Sequence, residues 1–329
     1  METGRSQFSV SSIIESVRID IFLFKIMPNK SRTYFRNLLR EEKILVNNRK
    51  VKPSYCVQKK DTITIEITEI APMKITPVDM KLNIIYEDDD LIIINKPPFM
   101  VVHPGAGNLD NTMVHGLLHH TRSLSSIGGE HRLGIVHRLD KNTSGCMVIA
   151  KNDDTHRSLM KDFKEHNVLK RYLALVWGYP PKSEFIIENM IERSNKNHEK
   201  QRIVREGGRY SKTNFKVLKY YPGFCLLEAF PLTGRTHQLR IQLSDAGFPI
   251  VGDNLYGNDD RKIKQINANK SAALIIKKKV NRQLLHSSYL QFFHPRNNNK
   301  MIFRAPLSDD FTEILHSVKS FIIKESINK

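Results

Sequence analysis

The stretch Gly134-Ile-Val-His-Arg-Leu-Asp-Lys-Asn-Thr-Ser-Gly145 places one carboxylate, Asp140, in a polar loop between two apolar runs. The run after the loop, Cys146-Met-Val-Ile-Ala150, has the length and composition of a buried strand. Hydroxyl residues and a glycine at the end of the loop favour a tight turn, which can hold one carboxylate still. The pattern is typical of a catalytic acid, and an aspartate that only caps its own turn is the alternative.

Two other strings follow along the chain, and a third comes shortly after them: Lys170-Arg-Tyr-Leu-Ala-Leu-Val-Trp-Gly178, Leu232-Thr-Gly-Arg-Thr-His-Gln-Leu-Arg240 and Gly252-Asp-Asn-Leu-Tyr-Gly257. Together with His137-Arg-Leu-Asp140, they resemble the signature strings of the RluA/RluD-type pseudouridine synthases in order and spacing. The resemblance covers about residues 84 to 306. The loop at residues 101–107, Val-Val-His-Pro-Gly-Ala-Gly, is similar to the RluD subgroup, which acts on large-subunit ribosomal RNA.

The resemblance implies that the chain isomerises uridine to pseudouridine in RNA, with Asp140 as the catalytic carboxylate. Arg240 would keep Asp140 ionised and could fork onto it with two hydrogen bonds. An ordinary ion pair inside a helix opened by Thr236 is the alternative for Arg240. Tyr172 would stack on uracil and serve proton transfer, although a tyrosine at the start of an apolar strand is usually a core residue.

The resemblance also implies how RNA is held around the reacting base. Arg138 lies two residues before Asp140, points to the same side of a locally extended chain, and would help to hold RNA whose target base is flipped out. Arg235 and His137 are assigned to phosphate contact or loop support. The isomerisation involves no redox step, energy source or metal, so no cofactor is expected.

The charge of the chain fits a polyanionic partner, because 52 Lys plus Arg face 34 Asp plus Glu, for a formal charge of +18. Residues 261–300 contain ten Lys or Arg and no Asp or Glu, and residues 32–60 are also basic. These are two candidate phosphate-facing surfaces, and a solvated basic face is the alternative.

Three cysteines without C-x-x-C spacing argue for a reducing cytoplasm and against zinc. The spacing of His115, His119 and His120 could hold a metal on a helix, but no cysteine or acidic ligand accompanies them at metal-site spacing, so no metal is expected. No run of 18 apolar residues and no apolar signal core is present, so neither a membrane span nor secretion is expected. The prediction is a cytoplasmic protein, acting as a monomer.

A segment with two prolines at residues 71–80 reads as a linker and divides the chain. Residues 1–16 are predicted to be a flexible tail and residues 76–329 the catalytic domain. Residues 17–75 are similar to the S4-like RNA-binding domain that often precedes the catalytic domain in this family. The N-terminal domain is predicted to contain a helix capped by Ser31, an Asn-Asn turn and an alternating strand at residues 62–67. Within the helix, Arg32, Arg36 and Arg40 share one face, which could be a phosphate contact surface or simply a solvated face.

The catalytic domain is predicted to be α+β, with a mixed or antiparallel central sheet, because strands outnumber helices and lie close in sequence. Strands are predicted at residues 84–85, 91–95, 135–136, 147–150, 172–176, 215–218 and 225–229, and helices near 111–121, 155–166, 236–246 and 308–324.

Two other functions fit parts of the pattern. A catalytically inactive RNA-binding ribosome-assembly factor would keep the scaffold, but it would have no reason to retain Asp140, Tyr172 and Arg240 together. A base-releasing glycosylase typically uses two carboxylates, whereas the string around Asp140 supplies one carboxylate among cations.

Overall fold

The computed structural model describes residues 3–10, 16–27, 32–68, 75–105, 107–257, 276 and 278–327. Contacts divide the chain into two compact units, Met1–Lys74 and Ile75–Lys329. The predicted boundary after residue 75 lies one residue from this division. Within the described residues, no helix is both long enough and apolar enough to cross a membrane.

The N-terminal unit packs two helices on a four-stranded antiparallel sheet with the strand order β1-β4-β2-β3. Its elements are β1 (Thr3–Ser9), α1 (Ile19–Ile26), α2 (Arg32–Arg40), β2 (Ile44–Val46), β3 (Arg49–Lys50) and β4 (Thr62–Thr68). Phe35, Leu38 and Leu39 form an apolar stripe on α2 and pack into the core of this unit. Asn47 and Asn48 both adopt positive φ angles, which suits a two-residue hairpin turn between β2 and β3.

The prediction of a flexible tail over residues 1–16 is wrong for the part that forms β1. Thr3–Ser9 pairs residue by residue with β4. This pairing runs through main-chain hydrogen bonds, which any sequence can make, so no side-chain pattern announces it. Residues 11–15, and Ser31 with its predicted cap, lie outside the described residues.

The second unit is built on a ten-stranded mixed sheet, which confirms the predicted fold class. The strand order is β10-β9-β11-β12-β8-β13-β7-β6-β5, with β14 paired to β13. Every neighbouring pair is antiparallel except β13 and β7. The strands are β5 (Ile84–Glu87), β6 (Leu91–Lys96), β7 (Ser144–Ala150), β8 (Leu169–Trp177), β9 (Glu184–Arg193), β10 (Gln201–Val204), β11 (Arg209–Tyr221), β12 (Phe224–Pro231), β13 (Leu285–Phe293) and β14 (Lys300–Arg304).

The two faces of this sheet are covered by helices that include α3 (Met113–His120), α4 (Asp153–Lys164), α5 (Gln238–Asp245) and α6 (Asp309–Ile327). Each lies where a helix is predicted. Alternation along β7 explains the layers, because Met147 packs with α3 on one face and Val148 packs with α4 on the other. Tyr172 of β8 joins the apolar cluster of α3 to that of α5, so these two helices flank one region of the sheet.

Several strands differ from the prediction. Residues 135–136 form only one isolated bridge, between Ile135 and Ile149, so the chain enters the Asp140 loop without a full strand. Strands β9, β10, β13 and β14 carry too many polar residues to be recognised. In β13, the buried His286 and Ser287 interrupt the apolar pattern because the fold needs their hydrogen-bonding groups inside.

Candidate active site

The loop that carries Asp140 is anchored from within. Leu139 is buried and packs into the cluster that contains α3, so the residues on either side of it turn outward. The main-chain N–H of Thr143 donates to the Asp140 carbonyl at 3.0 Å and closes the predicted tight turn. The Asp140 side chain is 20% exposed and lines a cavity.

Two buried cations hold the other side of this loop through its main chain. The Lys96 ammonium donates to the carbonyl oxygens of Pro97, Met100 and Lys141, at 2.8, 3.0 and 3.0 Å. Burial, and then the nearby charge of Arg282, lowers the pKa of Lys96 to about 7. Sequence reasoning missed Lys96 because it ends an apolar strand with no recognisable partner nearby.

Arg282 is the second buried cation, and sequence reasoning missed it as well. One of its N–H groups donates to the Asn142 carbonyl at 3.0 Å. Its Nε and Nη2 atoms bind the Asp310 carboxylate at the start of α6, at 2.5 and 2.9 Å. Burial alone would raise the pKa of Asp310, but the bonds from Arg282 and Ser308 lower it. The loop is therefore tied to the first turn of α6.

The glycine that closes the loop has a steric task. Gly145 has φ +114°, and a Cβ atom there would lie 2.2 Å from the Ser287 carbonyl oxygen of β13. Only glycine combines this backbone angle with so close an approach. It lets β13 pair with β7, which brings Ser287 beside Tyr172 of β8.

Arg240 stands beside Asp140, as predicted, but its geometry differs from the prediction. The expected two-bond fork onto Asp140 is wrong: the fork, Nε and Nη2, binds Asp253 at 2.7 and 2.9 Å. The remaining nitrogen, Nη1, donates to Asp140 Oδ2 at 3.0 Å. The helix opens at Gln238, with His237 as its N-cap, and not at Thr236.

Asp253 is the residue that sets the orientation of Arg240. It is buried, 1% exposed, and its Oδ1 atom also accepts the main-chain N–H groups of Leu255 and Tyr256. Burial alone would lower the pKa of Arg240, but the bonds with Asp253 and then with Asp140 raise it. A permanently charged guanidinium thus faces Asp140. Asp253 was visible only as one acid inside the string at residues 252–257.

Tyr172 faces the same cavity from β8. Burial raises its pKa to about 12, against the opposing effect of a hydrogen bond with the Ser287 side chain. The phenol is therefore neutral at physiological pH, and it can donate a proton but cannot act as a phenolate base. Its ring is half-buried, so one side is open to the cavity.

The cavity measures about 490 Å³, a size suited to a small ligand or a single nucleotide. Asp140, Tyr172 and Arg240 all line it, together with Arg138 and Arg235. The structure thus brings together all the residues predicted for the catalytic domain.

Residues 90–245 match the family described as RNA pseudouridylate synthase, and residues 17–63 match the S4 domain family. The chain is 36% identical over 305 residues to an uncharacterized RNA pseudouridine synthase of Bacillus subtilis, which covers 93% of this chain and 95% of the relative. The chain belongs to the RNA pseudouridine synthase family.

A second relative of this synthase is the ribosomal large subunit pseudouridine synthase D of Zymomonas mobilis, 35% identical over 301 residues, covering 89% of this chain and 91% of the relative. Among solved structures, human RNA pseudouridylate synthase domain containing 4 matches with a TM-score of 0.54 at 25% identity, over 72% of this chain and 93% of that one. These findings confirm the resemblance and the enzyme class predicted from the strings.

His137 supports the Asp140 loop of the synthase through contacts in the interior of the domain. The Val148 N–H donates to its Nε2 atom at 3.0 Å, and its ring stacks on Phe163 with 4.6 Å between centroids. Burial, and then the charge of Lys170, lowers the pKa of His137 to about 3. A neutral, engaged ring fits loop support, and of the two roles predicted for His137 it does not fit phosphate contact.

Four cations of the synthase line the cavity besides Arg240: Arg138, Lys164, Lys170 and Arg235. Arg138 is exposed, and Arg235 is held by a bond from its Nε atom to the Tyr210 carbonyl at 2.9 Å. Lys170 is half-buried, and burial lowers its pKa to about 8. Among the described residues, neither Arg138 nor Lys170 has a carboxylate partner within ion-pair distance, so both charges are available to a ligand.

The histidines at residues 115–120 do not converge on one point. His115 Nδ1 bonds with the Thr112 hydroxyl at 2.8 Å, whereas His120 Nε2 lies 2.6 Å from Glu87. His119 lies 3.7 Å from Asp79. Each of these three rings on α3 thus has a different partner, and none of the partners lies within the helix.

A group of metal-ligand type exists elsewhere among the described residues, formed by Asp88, Asp90 and His294 with ligand atoms within 4.8 Å. Arg296 lies 2.5 Å from Asp90, and His294 lies 3.0 Å from Asp88. These carboxylates are already matched by cations and hydrogen bonds, and none of the three lines the cavity of the synthase.

The three arginines of α2 in the S4 domain are all exposed. Arg32 differs from the others because it lies 2.9 Å from the buried Asp20 carboxylate, which Arg18 also binds at 3.1 Å. Burial alone would raise the pKa of Asp20, but the bonds from Arg32 and Arg18 lower it. Arg36 and Arg40 have no ion pair among the described residues, so they are freer than Arg32 to contact phosphate.

Proposed function

We propose that this protein converts uridine to pseudouridine in large-subunit ribosomal RNA, with Asp140 as the catalytic group and without a cofactor. The observation that carries the proposal is the Asp140 carboxylate, open to a nucleotide-sized cavity and bonded at 3.0 Å to an arginine that Asp253 holds in place. The large-subunit substrate follows from the names of relatives such as that of Zymomonas mobilis. A ribosomal RNA substrate would place the reaction in the cytoplasm.

The isomerisation breaks the bond from N1 of uracil to C1′ of the ribose and forms one from C5 to C1′. The C5 proton is lost and N1 gains one, so the composition is unchanged and no redox partner is needed. Asp140 serves either by attacking C1′ or by removing a sugar proton. Both routes need the ionised carboxylate, which the fixed charge of Arg240 favours in a partly desolvated site.

Tyr172 supplies an aromatic face for the detached uracil and a neutral hydroxyl that can pass a proton. Because the base must leave its stack to reach Asp140, the RNA around it has to be held in an opened form. Arg138, Arg235 and Lys170 surround the cavity and would bind the flanking phosphates. Arg36 and Arg40 would add contacts from the S4 domain.

Two alternatives fit the site less well. A catalytically inactive protein that only binds RNA would not need Asp253 to hold Arg240 against Asp140. A glycosylase typically uses two carboxylates. Asp253, the second carboxylate near Arg240, is buried and fully engaged by the guanidinium fork and two main-chain N–H groups.

The test is to incubate the protein with large-subunit ribosomal RNA and to map new pseudouridines. Wild type should form them at defined positions, and also after exhaustive chelation. Asp140→Asn should form none while binding RNA within a few fold of wild type, because the amide keeps the shape of the side chain. Asp154→Asn, an exposed acid on α4, is the matched control. Free uracil or a wild-type protein without activity would refute the proposal.

A further inference from the structure

His237 has a backbone conformation that calls for a reason. It caps α5 with φ 56° and ψ 19°, in the left-handed region of the backbone that residues other than glycine seldom adopt. Its side chain makes no capping hydrogen bond, so helix capping does not account for the histidine. The conformation instead turns the ring into the catalytic cavity, where 17% of the side chain remains exposed. Such outliers cluster at functional sites.

The surroundings of His237 favour one tautomer of its ring. The main-chain N–H of Gln201 donates to the Tyr256 hydroxyl oxygen at 2.7 Å, so the tyrosine proton is free to point elsewhere. That hydroxyl lies 2.9 Å from His237 Nδ1 and can donate its proton there. Burial lowers the pKa of His237, which favours the neutral ring. This arrangement favours the tautomer that carries its one proton on Nε2.

Tyr256 is itself fixed by the catalytic arginine. The Arg240 guanidinium lies over its ring, 5.2 Å from the centroid. The same guanidinium binds Asp140. Arg240, Tyr256 and His237 thus form one connected unit, and the Nε2–H group of His237 has a fixed direction relative to the carboxylate.

The distance between His237 and Asp140 leaves room for a ligand atom. Nε2 lies 3.8 Å from Asp140 Oδ2, too far for a hydrogen bond. An oxygen atom placed about 2.8 Å from both would accept from Nε2–H and donate to the carboxylate. A hydroxyl group or a water molecule can do both, whereas an ether or carbonyl oxygen cannot. Of the oxygens next to C1′ in a ribonucleotide, the ring oxygen only accepts, whereas the 2′-hydroxyl accepts and donates.

We propose that His237 recognises the 2′-hydroxyl of the target ribose, donating Nε2–H to the oxygen while the hydroxyl donates to Asp140. The inference rests on the proposed function, because it needs C1′ beside Asp140. It makes His237 a residue that selects RNA over DNA at the reacting nucleotide. Hydrogen bonds between a catalytic carboxylate and the neighbouring sugar hydroxyl also strengthen as the glycosidic bond breaks, as in glycosidases.

The test compares two substitutions on two substrates. His237→Asn tolerates the left-handed backbone but is too short to present a donor at the Nε2 position, whereas His237→Gln reaches it with an N–H group. The substrates are a stem-loop RNA with the mapped target uridine and the same RNA with one 2′-deoxyuridine at that position. Single-turnover rates are measured for each pair, and affinities are measured in an Asp140→Asn background.

His237→Asn should reduce the preference for the ribose substrate roughly tenfold, by slowing or weakening the ribose substrate and affecting the deoxy substrate much less. His237→Gln should retain most of the preference. If neither wild type nor the two variants turn over the deoxy substrate, the preference is read from the affinities for the two substrates. If wild type forms no pseudouridine in any RNA, the proposed function fails and the assignment of His237 fails with it; an equal loss on both substrates beside an active wild type overturns the assignment of His237 alone.

Discussion

The ammonium of Lys96 lies 3.0 Å from the carbonyl oxygen of Lys141, the residue that follows Asp140. The Lys96 ammonium also donates to the carbonyl oxygens of Pro97 and Met100, so this one buried side chain joins the end of β6 to the Asp140 loop. Asp140 thus depends for its position on a residue that never reaches the cavity.

Lys96→Met should therefore impair catalysis without touching RNA. The substitution keeps the length of the side chain but leaves three partly buried carbonyl oxygens without this donor, which should lower the free energy of unfolding by about 1–3 kcal/mol. Single-turnover rates should fall much more than RNA affinity. Lys141→Met, which changes only the side chain of the residue whose carbonyl is bound, is the control. A stable variant with normal rates would show that the loop holds itself.

The same lysine should give the stability a pH dependence. Its pKa is about 7 in the folded protein, against an ordinary value of 10.5. Between these values the unfolded chain binds up to about one more proton, so raising the pH favours the folded state. From pH 7 to pH 9, the free energy of unfolding of wild type should rise relative to Lys96→Met. Denaturant unfolding at a series of pH values measures this, and parallel curves would contradict it.

Asp253 should matter to catalysis although it does not line the cavity. Asp253→Asn weakens the fork that orients Arg240, and a guanidinium displaced by about 1 Å can slow turnover on the order of a hundredfold. RNA affinity should change little. Arg240→Ala should be worse than Arg240→Lys, because lysine keeps a charge beside Asp140 although it loses the fork. Single-turnover rates rank the three, and near-normal turnover in the alanine variant would exclude Arg240 from the mechanism.

The residues that line the cavity can be recognised in the sequence more readily than the residues that support them. Asp140, Tyr172 and Arg240 each lie in a distinctive string, and the structure gathers them in one cavity. Lys96 and Arg282 act on main-chain carbonyls of the loop, and Arg282 does so across 140 positions. A contact to a carbonyl leaves no trace in the partner's side chain, so no pattern in a single sequence could reveal it.

Because Arg282 connects the Asp140 loop to α6, substitutions at this contact should affect turnover. Arg282→Met removes a fully buried cation from the Asn142 carbonyl and from Asp310, whose side chain is 39% exposed, so the free energy of unfolding should fall by about 1–3 kcal/mol. Asp310→Asn keeps the arginine and loses only the charge of its partner, so it should fold and show a smaller loss of turnover. Thermal unfolding and single-turnover rates separate the two effects. Full activity in a folded Arg282→Met protein would show that turnover does not depend on this contact.

The arginines of α2 should separate into two functional kinds. Arg36→Ala and Arg40→Ala should leave the S4 domain folded, weaken RNA binding and flatten its dependence on salt, because each lost phosphate contact reduces the slope by about 1. Arg32→Ala should instead lower the stability, since it strips one partner from the buried Asp20. Binding curves at several salt concentrations, read beside thermal unfolding, test this directly. A salt slope that falls for Arg32→Ala and stays unchanged for the other two would reverse the assignment, and place the phosphate contact at the start of the helix.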